Sequence, residues 1–129
     1  MPRVRPMIHL DTNFLIQATV AGSLAHGRLR QWAVAGEGLG VSAVAWAEYL
    51  CGPLDPKGEA VAKEMFPLPE GFSAADAVLA ADLFNKTGRR SRSLADCMIS
   101  AVAIRCGAKL ATINTSDFQP FVRHGLALA

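Results

Sequence analysis

Apolar residues along this chain come in short runs broken by polar turns. Met7-Ile8-His9-Leu10 is one such run, ending at Asp11, and has the density of a buried strand; Thr12-Asn13 then opens a helix through Phe14, Leu15 and Val20. Leu39-Gly40-Val41 predicts a second strand, after which Ser42 caps a helix from Ala43 to Cys51 that Gly52-Pro53 stops. Pro56 to Phe66, with Lys57, Glu59, Lys63 and Glu64, predicts a solvated helix, and Phe66-Pro67-Leu68 a short strand or extended link. Ser73 with Asp76 three residues later starts an alanine-rich helix to about Thr87, ended by Gly88. Ser93 and Asp96 repeat that start for a helix through Cys106, closed by Gly107; Leu110 to Ile113 and Leu126 to Leu128 read as two further strands. Strands alternating with helices predict an α/β fold with a mostly parallel, roughly five-stranded sheet covered on both faces. Ligands are then expected beyond the carboxyl ends of the strands.

Composition narrows the class. At 129 residues, 51% hydrophobic and 19% charged, the chain is expected to form a single domain over residues 1–129, and disorder is excluded. No apolar run approaches the roughly 18 residues that span a bilayer. Cys51, Cys97 and Cys106 form no ligand-pair or disulfide pattern, and the two arginines before Met7 precede no apolar signal core, so a reducing cytoplasm is expected. A net charge of +2 says little about partners. Its distribution says more: with four acids committed to one site, the other seven leave the thirteen Lys and Arg a surplus of six, which suits a polyanion around a local acidic hole.

Four acids stand alone in apolar surroundings. Asp11 is the only charged residue between Pro6 and Ala25, Glu48 between Gly38 and Leu54, Asp96 between Ser93 and Ile104, and Asp117 between Leu110 and Val122. The helix carrying Asp96 is apolar all round and must be largely buried, and a buried carboxylate needs hydrogen bonds, a counter-charge or a proton. Three of them have a local reading: Asp11 as a helix N-cap, Asp96 as the acid of a capping box with Ser93, Asp117 as the end of an Asx-type turn. Glu48 has no such role, and faces away from Trp46 and Leu50, which are expected to anchor its helix. Asp76 and Asp82 also lack basic neighbours but flank alanines and read as solvated. The alternative is convergence: Asp11 ends one strand and Asp117 follows another, so both belong to the same edge of a parallel sheet, with Asp96 in the first turn of a helix running back. Carboxylates 4 Å apart repel by roughly 4 kcal/mol at an effective dielectric near 20, which a divalent cation relieves. All-oxygen donors favour Mg²⁺ or Mn²⁺ over zinc, and such ions activate water against phosphodiesters.

Four stretches together resemble the PIN-domain ribonucleases, in particular the toxin half of VapBC-type toxin–antitoxin modules. They are Ile8-His9-Leu10-Asp11-Thr12-Asn13-Phe14-Leu15, Ser42-Ala43-Val44-Ala45-Trp46-Ala47-Glu48-Tyr49, Arg92-Ser93-Leu94-Ala95-Asp96-Cys97-Met98-Ile99-Ser100-Ala101 and Leu110-Ala111-Thr112-Ile113-Asn114-Thr115-Ser116-Asp117-Phe118. The resemblance implies a PIN-like three-layer α/β/α sandwich and a Mg²⁺- or Mn²⁺-dependent endoribonuclease. Asp11 and Asp96 would be the principal ligands, with Glu48 and Asp117 completing the set, Thr12 orienting the first carboxylate, and Asn13 and Asn114 in support. Many PIN domains carry an acid where this chain has Asn114, which leaves Asp117 as the acid of that motif. The family also implies an RNA substrate, a VapB-like antitoxin whose C-terminal segment fills the cleft, and a homodimer or toxin–antitoxin hetero-oligomer.

Arg89, Arg90 and Arg92 precede the Asp96 helix and are candidates to hold RNA phosphates, with Arg28 and Arg30 weaker ones. His9, His26 and His124 are not spaced as ligands. Two other function classes remain in view. One is a PIN domain without catalysis that binds RNA or protein. The other is a phosphotransferase with Asp11 as nucleophile, which would want a second acid where the chain has Asn13.

Overall fold

Strand β1 (Met7–Leu10) takes the centre of the sheet because Ile8, His9 and Leu10 are all buried, the continuous run that a strand covered on both faces requires. A computed structural model describes residues 7–90 and 93–129. Within them β1 pairs in parallel with β2 (Gly38–Val41) on one side and β3 (Lys109–Ala111) on the other, and β3 with β4 (Ala127–Leu128), giving the order β2-β1-β3-β4. Leu10 lies opposite both Val41 and Ala111. The sheet thus has four strands among the described residues rather than about five. Phe66-Pro67-Leu68 does not join it: Pro67 has no N–H to give a ladder and Leu68 is 90% exposed. Beyond β2 the sheet gains only one bridge, where the Glu70 N–H donates to the Val41 carbonyl and the Ala43 N–H to the Glu70 carbonyl. Gly40 is needed in β2 for close approach, since a Cβ there would stand 3.1 Å from Cδ2 of the buried His9 ring. Burial holds the His9 imidazole below its ordinary pKa and therefore neutral.

The chain passes from β1 to β2 on one side and returns to β3 on the other. The carboxyl ends of β1 and β3 therefore flank a switch point, where open parallel sheets leave a crevice.

Five helices follow the sequence expectation. They are α1 (Thr12–Ala18), α3 (Ala43–Cys51), α4 (Pro56–Met65), α5 (Ala74–Lys86) and α6 (Leu94–Arg105). Two others do not: α2 (Leu24–Val34) and α7 (Thr115–Val122). Helix α2 buries only Ala25 and Leu29 while Leu24 and Val34 are exposed, so its apolar periodicity is blurred, and Ser23 capping the His26 N–H was its one clear mark. Helix α7 carries Pro120 inside it and begins in a run that reads as a turn. Phe14 stacks on Trp32 at 5.7 Å, tying α1 to α2, and the Arg28 guanidinium lies 4.7 Å over Trp32 while donating to the Ala129 carbonyl. Arg28 is thus engaged in packing these elements together. In α3 the buried anchors are Ala45 and Tyr49; Leu50 is exposed and Trp46 only partly buried, a rotation from the expected face.

Helices α5 and α6 pack as a hairpin whose far end is locked by Asp76. This residue is buried at 1% exposure, not solvated as its alanine-rich surroundings implied. Its carboxylate completes the capping box by accepting from the Ser73 N–H, and accepts a 2.7 Å hydrogen bond from Arg105 Nε at the end of α6. Arg105 also reaches Glu70 Oε1 at 3.1 Å and the Gly71 carbonyl at 2.9 Å. Burial alone would raise the Asp76 pKa, but the Arg105 and Ser73 hydrogen bonds outweigh it and hold the group below the usual value. Asp82, by contrast, is half exposed beside Lys86.

Replacing Arg105 by Ala leaves a buried carboxylate without its cationic partner and should lower the urea midpoint at pH 7. Because the Asp76 pKa is depressed on folding, the difference from wild type should shrink as pH falls below about 4, the unfolded Asp value.

Candidate active site

Asp11 follows β1 directly, its N–H donating to the Ala111 carbonyl and so extending the ladder by one rung. Its carboxylate then turns onto α1 as the N-cap, accepting from the Phe14 N–H at 2.7 Å. The side chain is buried, which raises its pKa; the Thr112 hydroxyl and Phe14 amide oppose that, and repulsion from Glu48 and Asp117 adds to it. Thr112, just past β3, is buried and also accepts from the Asn114 N–H at 2.9 Å. Sequence reasoning placed Thr112 within a motif but gave it no role; its position one residue beyond a buried strand, opposite the first acid, is the mark that could have found it.

Glu48 sits on the exposed side of α3, where Thr12 Oγ1 donates to its Oε1 at 2.7 Å. The hydroxyl after Asp11 therefore orients Glu48 rather than Asp11, because capping α1 turns the Asp11 carboxylate toward its own first-turn amides. Asn13 is exposed on α1, and Asn114 is the N-cap residue of α7 without a side-chain cap bond.

Asp96 lies in the first turn of α6, where the expected capping box is absent. Ser93 has helical dihedrals and gives its hydroxyl to the Arg90 carbonyl, so no cap bond from Ser93 engages the helix. Asp96 is left half-buried with its pKa pushed up to about 6, first by burial and then by Asp117, Glu48 and Asp11 together. All three other acids act on it, so the four share one field at the switch point. Asp117 is exposed in the first turn of α7.

Asp96 and Asp117 also border a cavity of about 710 Å³ with Arg90, Ser93 and Ser116 on its walls. Arg90 is brought there by a tight turn: Gly88 at φ 98° and Arg89 at φ 56° follow α5, and the Arg89 N–H caps the helix by donating to the Phe84 carbonyl. Arg89 is exposed, and Arg92 lies outside the described residues.

Whether this set suits a cation turns on its chemistry. Its donors are all oxygen, and their mutual repulsion is what a hard divalent ion relieves. Among the described residues, however, no three His, Cys, Asp or Glu side chains are gathered closely enough to hold one ion. The acids share a field without forming a finished ligand shell.

A family model described as the PIN domain matches residues 8–121. Solved structures with the same fold include a VapBC2 complex from Rickettsia felis bound to a promoter DNA fragment, 21% identical with a TM-score of 0.74 over 95% of this chain and 97% of that one. A DNA-bound VapBC from Salmonella typhimurium is 20% identical, with a TM-score of 0.74 over 96% and 97%. The FitAcB structure from Neisseria gonorrhoeae is 21% identical, with a TM-score of 0.71 over 95% and 96%. No curated protein is matched. At these identities the likeness to solved structures is one of fold.

Asp96 binds its proton more tightly folded than unfolded, so stability of the metal-free protein falls as pH rises from about 4 to about 6 and stays reduced above. Asp96→Asn should therefore raise the Tm in EDTA at pH 7.5 and leave it nearly unchanged at pH 4, by thermal melts at both values. An equal shift at both would mean that Asp96 is not charged against its neighbours.

Proposed function

The chain belongs to the PIN-domain family, and we propose that it is a Mg²⁺- or Mn²⁺-dependent endoribonuclease, the toxin of a type II toxin–antitoxin pair. The observation that carries this reading is that Asp117, Glu48 and Asp11 all repel charge on Asp96 at the switch point, adding to the burial that together with them pushes its pKa up to about 6. Asp11 and Asp96 are the principal ligands, with Glu48 and Asp117 completing the acidic set. A bound divalent ion supplies there an activated water nucleophile and neutralises charge developing on the phosphoryl oxygens.

The chain's own residues do the rest. Thr12 fixes one oxygen of Glu48, leaving the other for a water or the cation. Phe14 N–H and Thr112 hold Asp11 against rotation. Arg90, and Arg89 from the same turn, contribute phosphate contacts that place a single-stranded or looped RNA across the acids, leaving a 5′-phosphate and a 3′-hydroxyl. The partner is an antitoxin chain, supported by the VapBC complexes that share this fold.

One observation favours a second reading, a PIN domain that binds RNA or protein without cutting: no three acid side chains among the described residues already form a ligand group. Calorimetry with Mn²⁺ separates the two, since absence of binding favours the second.

Asp11→Asn and Asp96→Asn should each lower Mn²⁺-dependent cleavage of single-stranded RNA by at least about a hundredfold, seen on denaturing gels. Asn still caps α1 at position 11, so the fold should persist in circular dichroism. Wild-type rates in both variants would remove the ribonuclease assignment.

A further inference from the structure

The cavity beside Asp96 and Asp117 is larger and chemically more varied than cation binding requires. At about 710 Å³ it falls within the size range of small-molecule sites, and it is bordered by Thr87 and Arg90 on one side and by Ser116, Pro120 and Phe121 of α7 on the other. Its walls divide by chemistry. The Arg90 guanidinium has no hydrogen bond or ion pair among the described residues, although two carboxylates border the same space. Its backbone is pinned, the Ser93 hydroxyl donating to its carbonyl at 2.8 Å and the Thr87 hydroxyl closing α5 on Leu83 at 2.6 Å. With those two hydroxyls engaged, Ser116 offers the one on this wall that bonds no described residue. Pro120 is exposed and gives the cavity an apolar flank, backed by the buried Phe121, which packs edge-on against Phe118 at 6.1 Å.

A cation and a hydroxyl that pair with no described residue, with an apolar flank, all next to the acids, describe a site for a group with a charged end, polar edges and a flat apolar face. Resting on the ribonuclease reading above, we propose that this cavity is a nucleoside pocket, which takes one unstacked residue of single-stranded RNA beside the phosphodiester that is cut. Arg90 pairs with the phosphate of that residue, the base lies along the exposed ring of Pro120, and Ser116 bonds its edge. RNA proteins read sequence mainly through unstacked bases in this way, which makes the pocket the source of any base preference at the cut.

The test uses a short single-stranded RNA with one mapped cut and Mn²⁺, compared with the same RNA lacking the base on one or the other side of that cut. Removing the base on one side should slow wild-type cleavage by about tenfold, the effect of one stacked base. Ser116→Trp, which projects a bulky ring into the part of the cavity where the base is placed, should cut the intact RNA at about the abasic rate and no longer distinguish the two. This ratio of intact to abasic rates is unmoved by damage to the neighbouring Asp117, which slows both substrates alike. Ser116→Leu provides the same comparison in a smaller side chain should the Trp variant not fold. Cleavage by wild type with no dependence on either base, or a wild-type ratio in the folded Ser116 variants, overturns the pocket and leaves the ribonuclease standing. No cleavage of any RNA by the wild type overturns the ribonuclease reading and this proposal with it.

Discussion

Mutual repulsion among carboxyl groups at one end of a parallel sheet is the constraint around which this structure is organised. The strand order brings Asp11 and Thr112 to adjacent strand ends, α3 presents Glu48 to Thr12, and the first turns of α6 and α7 present Asp96 and Asp117. Burial at Asp11 and Asp96 strengthens each charge's effect on the others, because little water intervenes. A chain folding for stability alone would pair or disperse these groups, as it does with Asp76.

The contrast with Asp76 is instructive because both acids belong to one helical hairpin. Asp76 is the more buried, yet Arg105 and the Ser73 amide make its charged form the favoured one. Asp96, at the opposite end of α6, has no such partner among the described residues and shifts the other way. Asp11 also accepts hydrogen bonds and still shifts upward with burial, so it is the guanidinium partner of Asp76 that sets it apart. The locked end anchors the hairpin, so the end bearing Asp96 is held in place despite its unfavourable charge.

Much of this was legible in the chain. Buried parallel strands leave continuous apolar runs, and serine caps mark helix starts, so β1, α3 and α5 stand out from Met7-Ile8-His9-Leu10, Ser42 and the Ser73–Asp76 pair. Isolation of an acid in apolar sequence singled out Asp11, Glu48, Asp96 and Asp117, all of which the fold gathers into one field. The same logic failed for Asp76, whose counter-charge Arg105 is distant in sequence and adjacent only after α5 and α6 pack. It failed again for Ser93 and Asp96, where a capping pattern identical in residue type to Ser73 and Asp76 makes no cap, because the turn from Arg90 gives Ser93 helical dihedrals. Helix α2 escaped notice because its exposed leucine and valine blur the period, and α7 because a proline can sit within a helix. Which hydroxyl serves which acid is a matter of side-chain direction that spacing does not carry: Thr12 goes to Glu48 and Thr112 to Asp11.

Asp11 is at once a member of the acidic set and the residue that starts α1. Two demands on a single side chain narrow what heredity can try at this codon. Alanine or valine would fray the helix as well as empty the site, whereas asparagine or serine would silence the site and keep the helix. Relatives that keep the scaffold without this acid should therefore carry amide or hydroxyl side chains at this position, a trace readable from sequence alone.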